Sequence, residues 1–445
     1  MQIAVNRQEL LDRLIRAKHN GFVKIITGIR RCGKSYLLFN LFRNHLLESG
    51  ADDDHIIAID LEKADDDTLL NPINLRKHIQ ARIKNDGKWT YVLLDEIQTC
   101  STVLREGVDL ARLHPEDVPQ AYITFYKTLS ALRTMPNVDV YVTGSNSRLL
   151  SSDVATEFRG RGQVIHITPL SFGEFFQLHR NTSNPYAVLN EYLSYGGLPE
   201  CALFETHQEK ESYLNGLYQT IYIRDVVERM KLRGEQPLAS VIDIAMSNIG
   251  SLTNPTKLAN ALKTRGGITA TKDTVSKYLG YLENAFILSK ATRFDVRGNH
   301  YLDYPAKYYA ADTGLRNART GFRQMEFTHL MENAIYNELK RQGYTVDVGV
   351  VYHDTTKAGK HVRPSHEIDF VVNRGYERIY IQSAWMIPDA EKMAQETFSL
   401  KHTGDNFRKV VIDGSPMAIK HIDNDGIGHI GLLDFLLDPK SIKTL

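Results

Sequence analysis

Apolar and polar positions change their period several times along the chain, and each change marks a new element. Short apolar runs at Phe22–Thr27, His55–Asp60, Tyr91–Asp95 and Val138–Thr143 alternate with helical spacing at Lys34–Leu47, Asn74–Lys84 and Ala121–Met135. Runs without polar alternation read as strands buried on both faces, and helices between them require parallel pairing. The prediction is a doubly wound α/β sheet with a fifth strand at Gln163–Ile167. After Pro169 the spacing is helical through Ser171–His179, Tyr186–Ser194 and Glu209 to about Lys231, broken by Gly196-Gly197 and Pro199, which predicts a small helical domain. Gly234 to Pro237 marks the next boundary. Helical patterns at Leu238–Ile249, Pro255–Thr264 and Thr271–Phe286, then extended segments at Ile287–Val296 and His300–Tyr309, suggest a winged helix. Beyond Thr328 the pattern gives a helix at His329–Arg341, strands at Thr345–Tyr352, Glu367–Asn373, Ile379–Ser383 and Lys409–Asp413, and a helix at Asp389–Leu400: a second α/β unit. The expected domains are 1–169, 170–234, 235–312 and 313–445, with no internal repeat or long low-complexity linker.

Composition narrows this picture only a little. A chain of 445 residues exceeds what one core serves, and 42% hydrophobic residues suffice for several. Lys and Arg number 54 against 53 Asp and Glu, so any site for a polyanion must be local. Cys32, Cys100 and Cys201 are too few and too scattered for a disulfide framework or a zinc site, which fits a reducing cytoplasm. The first 21 residues read as a charged amphipathic helix without a signal-peptide core, and no later apolar run reaches about 18 residues, so the expectation is a cytoplasmic protein with no membrane contact.

The chemistry concentrates after the first strand. Gly28-Ile29-Arg30-Arg31-Cys32-Gly33-Lys34-Ser35 has the spacing G-x-x-x-x-G-K-[ST], follows a strand and opens a helix. Glycines let successive N–H groups face an anion. Lys34 neutralises β- and γ-phosphate charge, Ser35 ligates Mg²⁺, and the expected phosphate-binding stretch runs through Tyr36. The strand Tyr91–Leu94 delivers Asp95 and Glu96 at its carboxyl end, Asp95 for the metal shell and Glu96 to orient the attacking water. Thr143-Gly144-Ser145-Asn146-Ser147 closes another strand; Asn146 and Ser145 are candidates for sensing a γ-phosphate or, equally, for capping a helix at Arg148-Leu149-Leu150. Arg159 and Arg161, set among glycines, are candidates for an arginine finger reaching a neighbouring subunit's nucleotide, or else surface charges.

These motifs, with Ile97-Gln98 and Tyr195-Gly196-Gly197-Leu198-Pro199-Glu200, resemble bacterial and archaeal predicted ATPases of the AAA+ superfamily, over nearly the whole chain. The resemblance extends to Tyr222-Ile223-Arg224-Asp225 and to Lys307-Tyr308-Tyr309-Ala310-Ala311-Asp312-Thr313-Gly314-Leu315. It implies an ATPase core at 1–169, a helical lid at 170–234, and a C-terminal domain with a restriction-endonuclease-like fold. Arg224 is then either a second sensor or a salt-bridging arginine. The chain departs from a compact core by an extra stretch from Thr99 to about Val118.

Two further regions bear on partners. Between Pro255 and Lys307, nine Lys and Arg face four acids. In a helix-turn-helix, Thr271, Lys272 and Ser276 would lie near a major groove, with Arg293 and Arg297 on the wing; such modules also dock proteins. In the C-terminal region, Glu332 and the Glu367-Ile368-Asp369-Phe370 strand follow an endonuclease-like layout. Gln382 and Ala384 stand where an acid and a lysine are expected, which reads as a degenerate nuclease without cutting activity. The combined expectation is an oligomeric Mg²⁺-dependent ATPase acting on DNA, with an ATP-driven switch that docks a protein partner as the alternative.

Overall fold

The computed structural model describes residues 5–63, 66–144, 158, 160–179, 184–217, 227, 236–266, 268, 270–323, 325–357 and 360–445. Two compact units emerge, Asn6–Ile167 and, in the main, Thr168–Leu445. No described helix is long and apolar enough to cross a membrane.

In the first unit, helix α1 (Gln8–Arg16) precedes strand β1 (Val23–Thr27), helix α2 (34–48, with a π-helical segment at Leu37–Phe42), β2 (Ile56–Asp60), α3 (Pro72–Arg82) and β3 (Thr90–Asp95). A two-residue hairpin of β4 (Val103–Leu104) and β5 (Tyr122–Ile123) follows, then α4 (Phe125–Arg133), β6 (Val138–Gly144) and β7 (Gly162–His166). The five main strands are parallel in the order β2-β3-β6-β1-β7. All five residues of β1 are buried, including Lys24, a break in the apolar run that Asp139 on β6 offsets by accepting the ammonium's hydrogen bond. Burial lowers the Lys24 pKa, against the Asp139 charge. Tyr141 and the His19 N–H donate to the same carboxylate at 2.9 and 3.0 Å. Ile25, Val92, Leu94, Val140 and Val142 pack with Leu75, Ile79 and Leu129 of α3 and α4 in one core.

Local chemistry moves two helix starts away from expectation. Asn71 caps α3 by accepting the Ile73 N–H at 2.9 Å with Pro72 in the first turn, so that helix begins before Asn74. Tyr122 and Ile123, expected at the start of a helix, pair instead with Val103 and Leu104, and the additional stretch after Thr99 is closed by that hairpin.

The second unit begins with helices α5 (Phe172–Leu178), α6 (Pro185–Tyr195), α7 (His207–Leu217), α8 (Gln236–Ser247), α9 (Pro255–Gly266) and α10 (Lys272–Asn284). Then come β8 (Leu288–Asp295), β9 (His300–Ala310), α11 (Thr313–Arg319), α12 (Phe327–Arg341), β10 (Thr345–Tyr352) and a short hairpin of β11 (Thr355–Lys357) and β12 (Lys360–Val362). The chain ends through β13 (Ser365–Arg374), β14 (Glu377–Ala384), α13 (Ala390–Lys401), β15 (Arg408–Asp413), β16 (His421–Ile422), β17 (Gly428–Gly431) and α14 (Leu432–Leu437). Of the helix expected from Glu209 to about Lys231, the described part ends at Leu217; nearly all the rest lies outside the described residues.

The hairpin expected as the wing of a winged helix is also part of a larger sheet. Thr253, between α8 and α9, does bridge Ala306 of β9, but Arg293–Asp295 of β8 pair in parallel with Val348–Val350 of β10. Both strands therefore form one edge of an eight-stranded sheet, β16-β17-β15-β14-β13-β10-β8-β9. Strand β10 is buried along most of its length and has β13 on one side only; its other row of backbone groups needs a partner, which β8 supplies. The expected boundary between 312 and 313 falls inside this compact unit.

Candidate functional site

Strands β1, β3 and β6 are adjacent and parallel, so the segments after their carboxyl ends meet at one sheet edge. The phosphate loop turns sharply at Gly28, where an added Cβ would lie 2.2 Å from the Ile167 carbonyl oxygen, so only glycine fits. Ile29 and Cys32 are buried, Arg30 is half-buried, and Arg31 is exposed with φ of 65°. Burial pushes the Cys32 thiol pKa up. Gly33 leads into α2, and Lys34 is buried with Nζ donating to the carbonyls of Gly28 and Ile29 at 3.3 and 3.1 Å. Ser35 and Tyr36 follow in the first turn, half-buried.

The acids stand opposite. Asp95 ends β3, buried, and its carboxyl accepts hydrogen bonds from the Ser35 and Thr143 hydroxyls. Burial pushes its pKa up, while those two bonds oppose the shift. Glu96 adopts φ 50° and ψ 50°, a left-handed conformation rare outside glycine. Its N–H donates to Thr143 Oγ1 at 2.9 Å, its carbonyl accepts from Thr99, and Oε1 lies 3.7 Å from Lys34 Nζ. Gln98 donates its amide to Oε2. The structure thus brings together Gly28 through Ser35 with Asp95 and Glu96. A hydroxyl and a carboxylate in direct contact are hard oxygen donors of the kind magnesium takes alongside phosphate oxygens, so Ser35 and Asp95 fit that ion.

Ser145, Asn146, Arg159 and Arg224 lie outside the described residues. Arg161 is exposed, and its carbonyl accepts the Val23 N–H at 3.1 Å. That places it beside the amino end of β1, about 16 Å of strand away from the chain's own phosphate loop. Among the DNA candidates, Thr271 caps α10 by accepting the Thr274 N–H at 3.1 Å, Lys272 is exposed and Ser276 half-buried. Arg293 sits within β8, where its Nε is buried with no hydrogen bond among the described residues, and Arg297 spends its Nε on the His402 carbonyl at 3.0 Å. Both lie on the β8–β9 hairpin, which joins the larger sheet.

Lys307, counted above with the basic residues, is 3% exposed. Its ammonium lies 2.7 Å from Glu332, 2.7 Å from Glu367 and 3.4 Å from Asp369, the acids of the endonuclease-like layout. Burial works against its charge, but the three carboxylates override that and raise its pKa. Glu332 also accepts from Tyr309 at 2.6 Å, and burial pushes its pKa up to about 7. Asp369 accepts the Ser383 N–H and hydroxyl at 2.8 and 2.9 Å, and Gln382 donates to Glu396 at 3.2 Å. The chain's own ammonium holds the place toward which these acids converge.

The segments at Tyr195 to Glu200 and Lys307 to Leu315, which marked the resemblance without a mechanism, pack on each other. Asp312 caps α11, accepting N–H groups from Leu315 at 3.0 Å and Gly197 at 2.7 Å. Gly196 has φ 76° and no room for a Cβ, which would sit 2.0 Å from the Asp312 carboxylate. Burial pushes Asp312 up to about 6.

Sequence reasoning missed Gln98, Thr143, Lys307 and Arg7 as working residues. The first three lie in quoted motifs. Arg7, buried and donating Nη1 to the Cys32 carbonyl at 2.9 Å, stands in no motif, and its signal is absent from the local pattern.

Residues 20–176 match the AAA domain family, and residues 186–326 match a domain of unknown function. An uncharacterized protein of Haemophilus influenzae is 34% identical over 436 residues, covering 97% of this chain and 98% of that one. An uncharacterized protein of Methanocaldococcus jannaschii is 26% identical, covering 83% and 76%. Among solved structures, a Walker-type ATPase of Pyrococcus abyssi overlays with a TM-score of 0.48 at 15% identity, over 71% of this chain and 96% of that one. The ADP form of the Aeropyrum pernix ORC2 protein overlays at 0.33 and 11%, over 72% and 92%.

Proposed function

From the premise that the chain belongs to one family with the uncharacterized Haemophilus influenzae protein and carries an AAA domain, we propose that residues 6–167 bind ATP with Mg²⁺ and hydrolyse it to ADP and phosphate. The observation that carries this reading is the meeting of Lys34, Ser35, Asp95 and Glu96 at one sheet edge, with the Ser35 hydroxyl on Asp95 and the Lys34 ammonium 3.7 Å from Glu96.

Magnesium, when bound, neutralises charge across the β- and γ-phosphate oxygens. Ser35 and Asp95 would hold it. Backbone N–H groups from Ile29 to Tyr36 cradle the phosphates, and Lys34 exchanges its bonds to the Gly28 and Ile29 carbonyls for phosphate oxygens. Glu96 orients the attacking water and accepts its proton. Asn146 is the proposed sensor of the γ-phosphate. Arg159 or Arg161 is the proposed finger, and the place of Arg161 at the far end of β1 supports its acting on a neighbouring subunit in a homo-oligomer.

The work done is remodelling of, or translocation on, DNA, with contact from the exposed start of α10 at Thr271 and Lys272. A second reading is favoured by one observation: Lys307 and Arg297 spend their charge or hydrogen bonds within the second unit. In that reading ATP drives a switch that docks a protein partner, without DNA. ATP turnover measured with single-stranded, duplex and branched DNA across a salt series separates the two. Stimulation that falls steeply with salt supports the motor; indifference to DNA with tight nucleotide retention supports the switch.

A further inference from the structure

Helix α1 starts at Arg7, whose carbonyl accepts the N–H groups of Leu10 and Leu11 at 3.0 Å each, and the buried side chains of Leu10 and Leu14 fix that helix in place. From this start the Arg7 guanidinium, 2% exposed, reaches the phosphate loop, where Nη1 donates to the Cys32 carbonyl at 2.9 Å. A charge is enclosed in this way only when hydrogen bonds hold it. The side chain of Cys32 is held as well, with Sγ 3.7 Å from the Ile167 carbonyl oxygen.

The direction of the Cys32 carbonyl decides the direction of the next N–H. A trans peptide is planar, and its C=O and N–H point opposite ways. With its oxygen turned to Arg7, the peptide between Cys32 and Gly33 therefore aims the Gly33 N–H away from Arg7. The carbonyls of Gly28 and Ile29 are turned instead to Lys34 Nζ, at 3.3 and 3.1 Å. Arg31 and Gly33 have φ of 65° and 95°, left-handed values with which successive N–H groups line one concave face. We propose that Arg7 is a positioning residue for nucleotide binding: through the Cys32 carbonyl it holds the Gly33 N–H toward the phosphates that ATP and ADP share. Arg7 itself touches no phosphate. A guanidinium suits the task because it stays charged at every working pH and its N–H directions are fixed by its plane. Without this bond the peptide can rotate, and binding must first order it. Affinity then falls, while turnover of the bound complex changes little.

This inference rests on the ATPase reading above, and the experiment keeps the two apart. Equilibrium binding of fluorescent ATP and ADP analogues in Mg²⁺ buffer and steady-state ATP hydrolysis are measured on the full chain for wild type, Arg7→Met, Arg7→Lys and Lys34→Ala. A thermal melt of each reports that it is folded at the temperature used. Arg7→Met, similar in length but with no donor, should raise KM and the Kd of both analogues about tenfold, equally for ATP and ADP, while kcat at saturation stays within about twofold. Arg7→Lys keeps the charge without the planar fork and should raise the same constants about threefold. Should Arg7→Met not fold, Arg7→Lys carries the test: the threefold loss supports the proposal, and wild-type affinity overturns it. A merely structural role would lower the melting temperature and leave the Kd of the folded protein unchanged, or lower kcat together with binding, and either result overturns the proposal. Wild-type affinities in both Arg7 variants, beside a Lys34→Ala that binds neither analogue, overturn the role of Arg7 alone. Wild-type protein that binds neither analogue overturns the ATPase reading and this inference with it.

Discussion

Each unit buries a lysine beside carboxylates, and the two arrangements differ in how much of the lysine is already used. Lys34 Nζ lies 3.7 Å from the Glu96 carboxylate and donates to two backbone carbonyls of its own loop. Lys307 has two carboxylates at 2.7 Å and a third at 3.4 Å. Carbonyls are weak competitors for an ammonium compared with phosphate oxygens; three carboxylates are not. The same residue types therefore make, in the reading proposed above, a phosphate site in one unit and a closed ionic cluster in the other.

The sharpest way to break this contrast is to remove each lysine. Lys34→Ala should lower ATP turnover at least about a thousandfold, with little change in the unfolding midpoint, because its cation serves a ligand rather than the fold. Turnover near wild type would contradict the phosphate-site assignment. Lys307→Met should do the reverse: the carboxylates lose their counter-charge, and the second unit should lose about 3–5 kcal/mol of stability in denaturant titration, as breaking one side of a buried ion pair does. An unaltered denaturation midpoint would show the cluster to be dispensable.

A smaller effect comes from Glu332. Its folded-state pKa of about 7 exceeds the ordinary 4.5, so between those values the folded state holds a proton that the unfolded chain has released. Its contribution to stability is full below pH 4.5 and is lost as pH rises toward 7. Glu332→Gln should flatten the fall in melting temperature across that window, and an unchanged slope would place the titration elsewhere. The smallest expected effect is none: wild type and Asp369→Ala should both leave DNA uncut with Mg²⁺, and cutting by wild type that the substitution removes would mean the acids reach a metal after all.

The sheet of the first unit was legible because its strands are long apolar runs and its loop carries a fixed spacing with a stated physical purpose. Gly28, Lys34 and Ser35 follow from that spacing, and Asp95 and Glu96 from the apolar run that they end. Lys24 and Asp139 show the limit: each interrupts an apolar strand, and only the parallel pairing of β1 with β6 reveals that they neutralise one another. The hairpin β8–β9 was read as a wing because local spacing carries no information about β10, roughly fifty residues on, which needs a neighbour. Lys307 counts toward a local basic excess in the sequence for the same reason. Its partners come from α12 and β13, and a lysine's burial is decided by what surrounds it in space. Arg7 reaches the phosphate loop from outside every motif.

The central claim is that a magnesium–triphosphate complex seats between Lys34, Ser35 and Asp95, with Glu96 as the base. Retention of radiolabelled ATP by Glu96→Gln after rapid gel filtration tests it most directly. The expected result is uncleaved ATP co-eluting with Glu96→Gln in a Mg²⁺-dependent manner, ADP with wild type, and no nucleotide with Lys34→Ala. Equal release of ADP by wild type and Glu96→Gln, or nucleotide retained equally by Lys34→Ala, would contradict it.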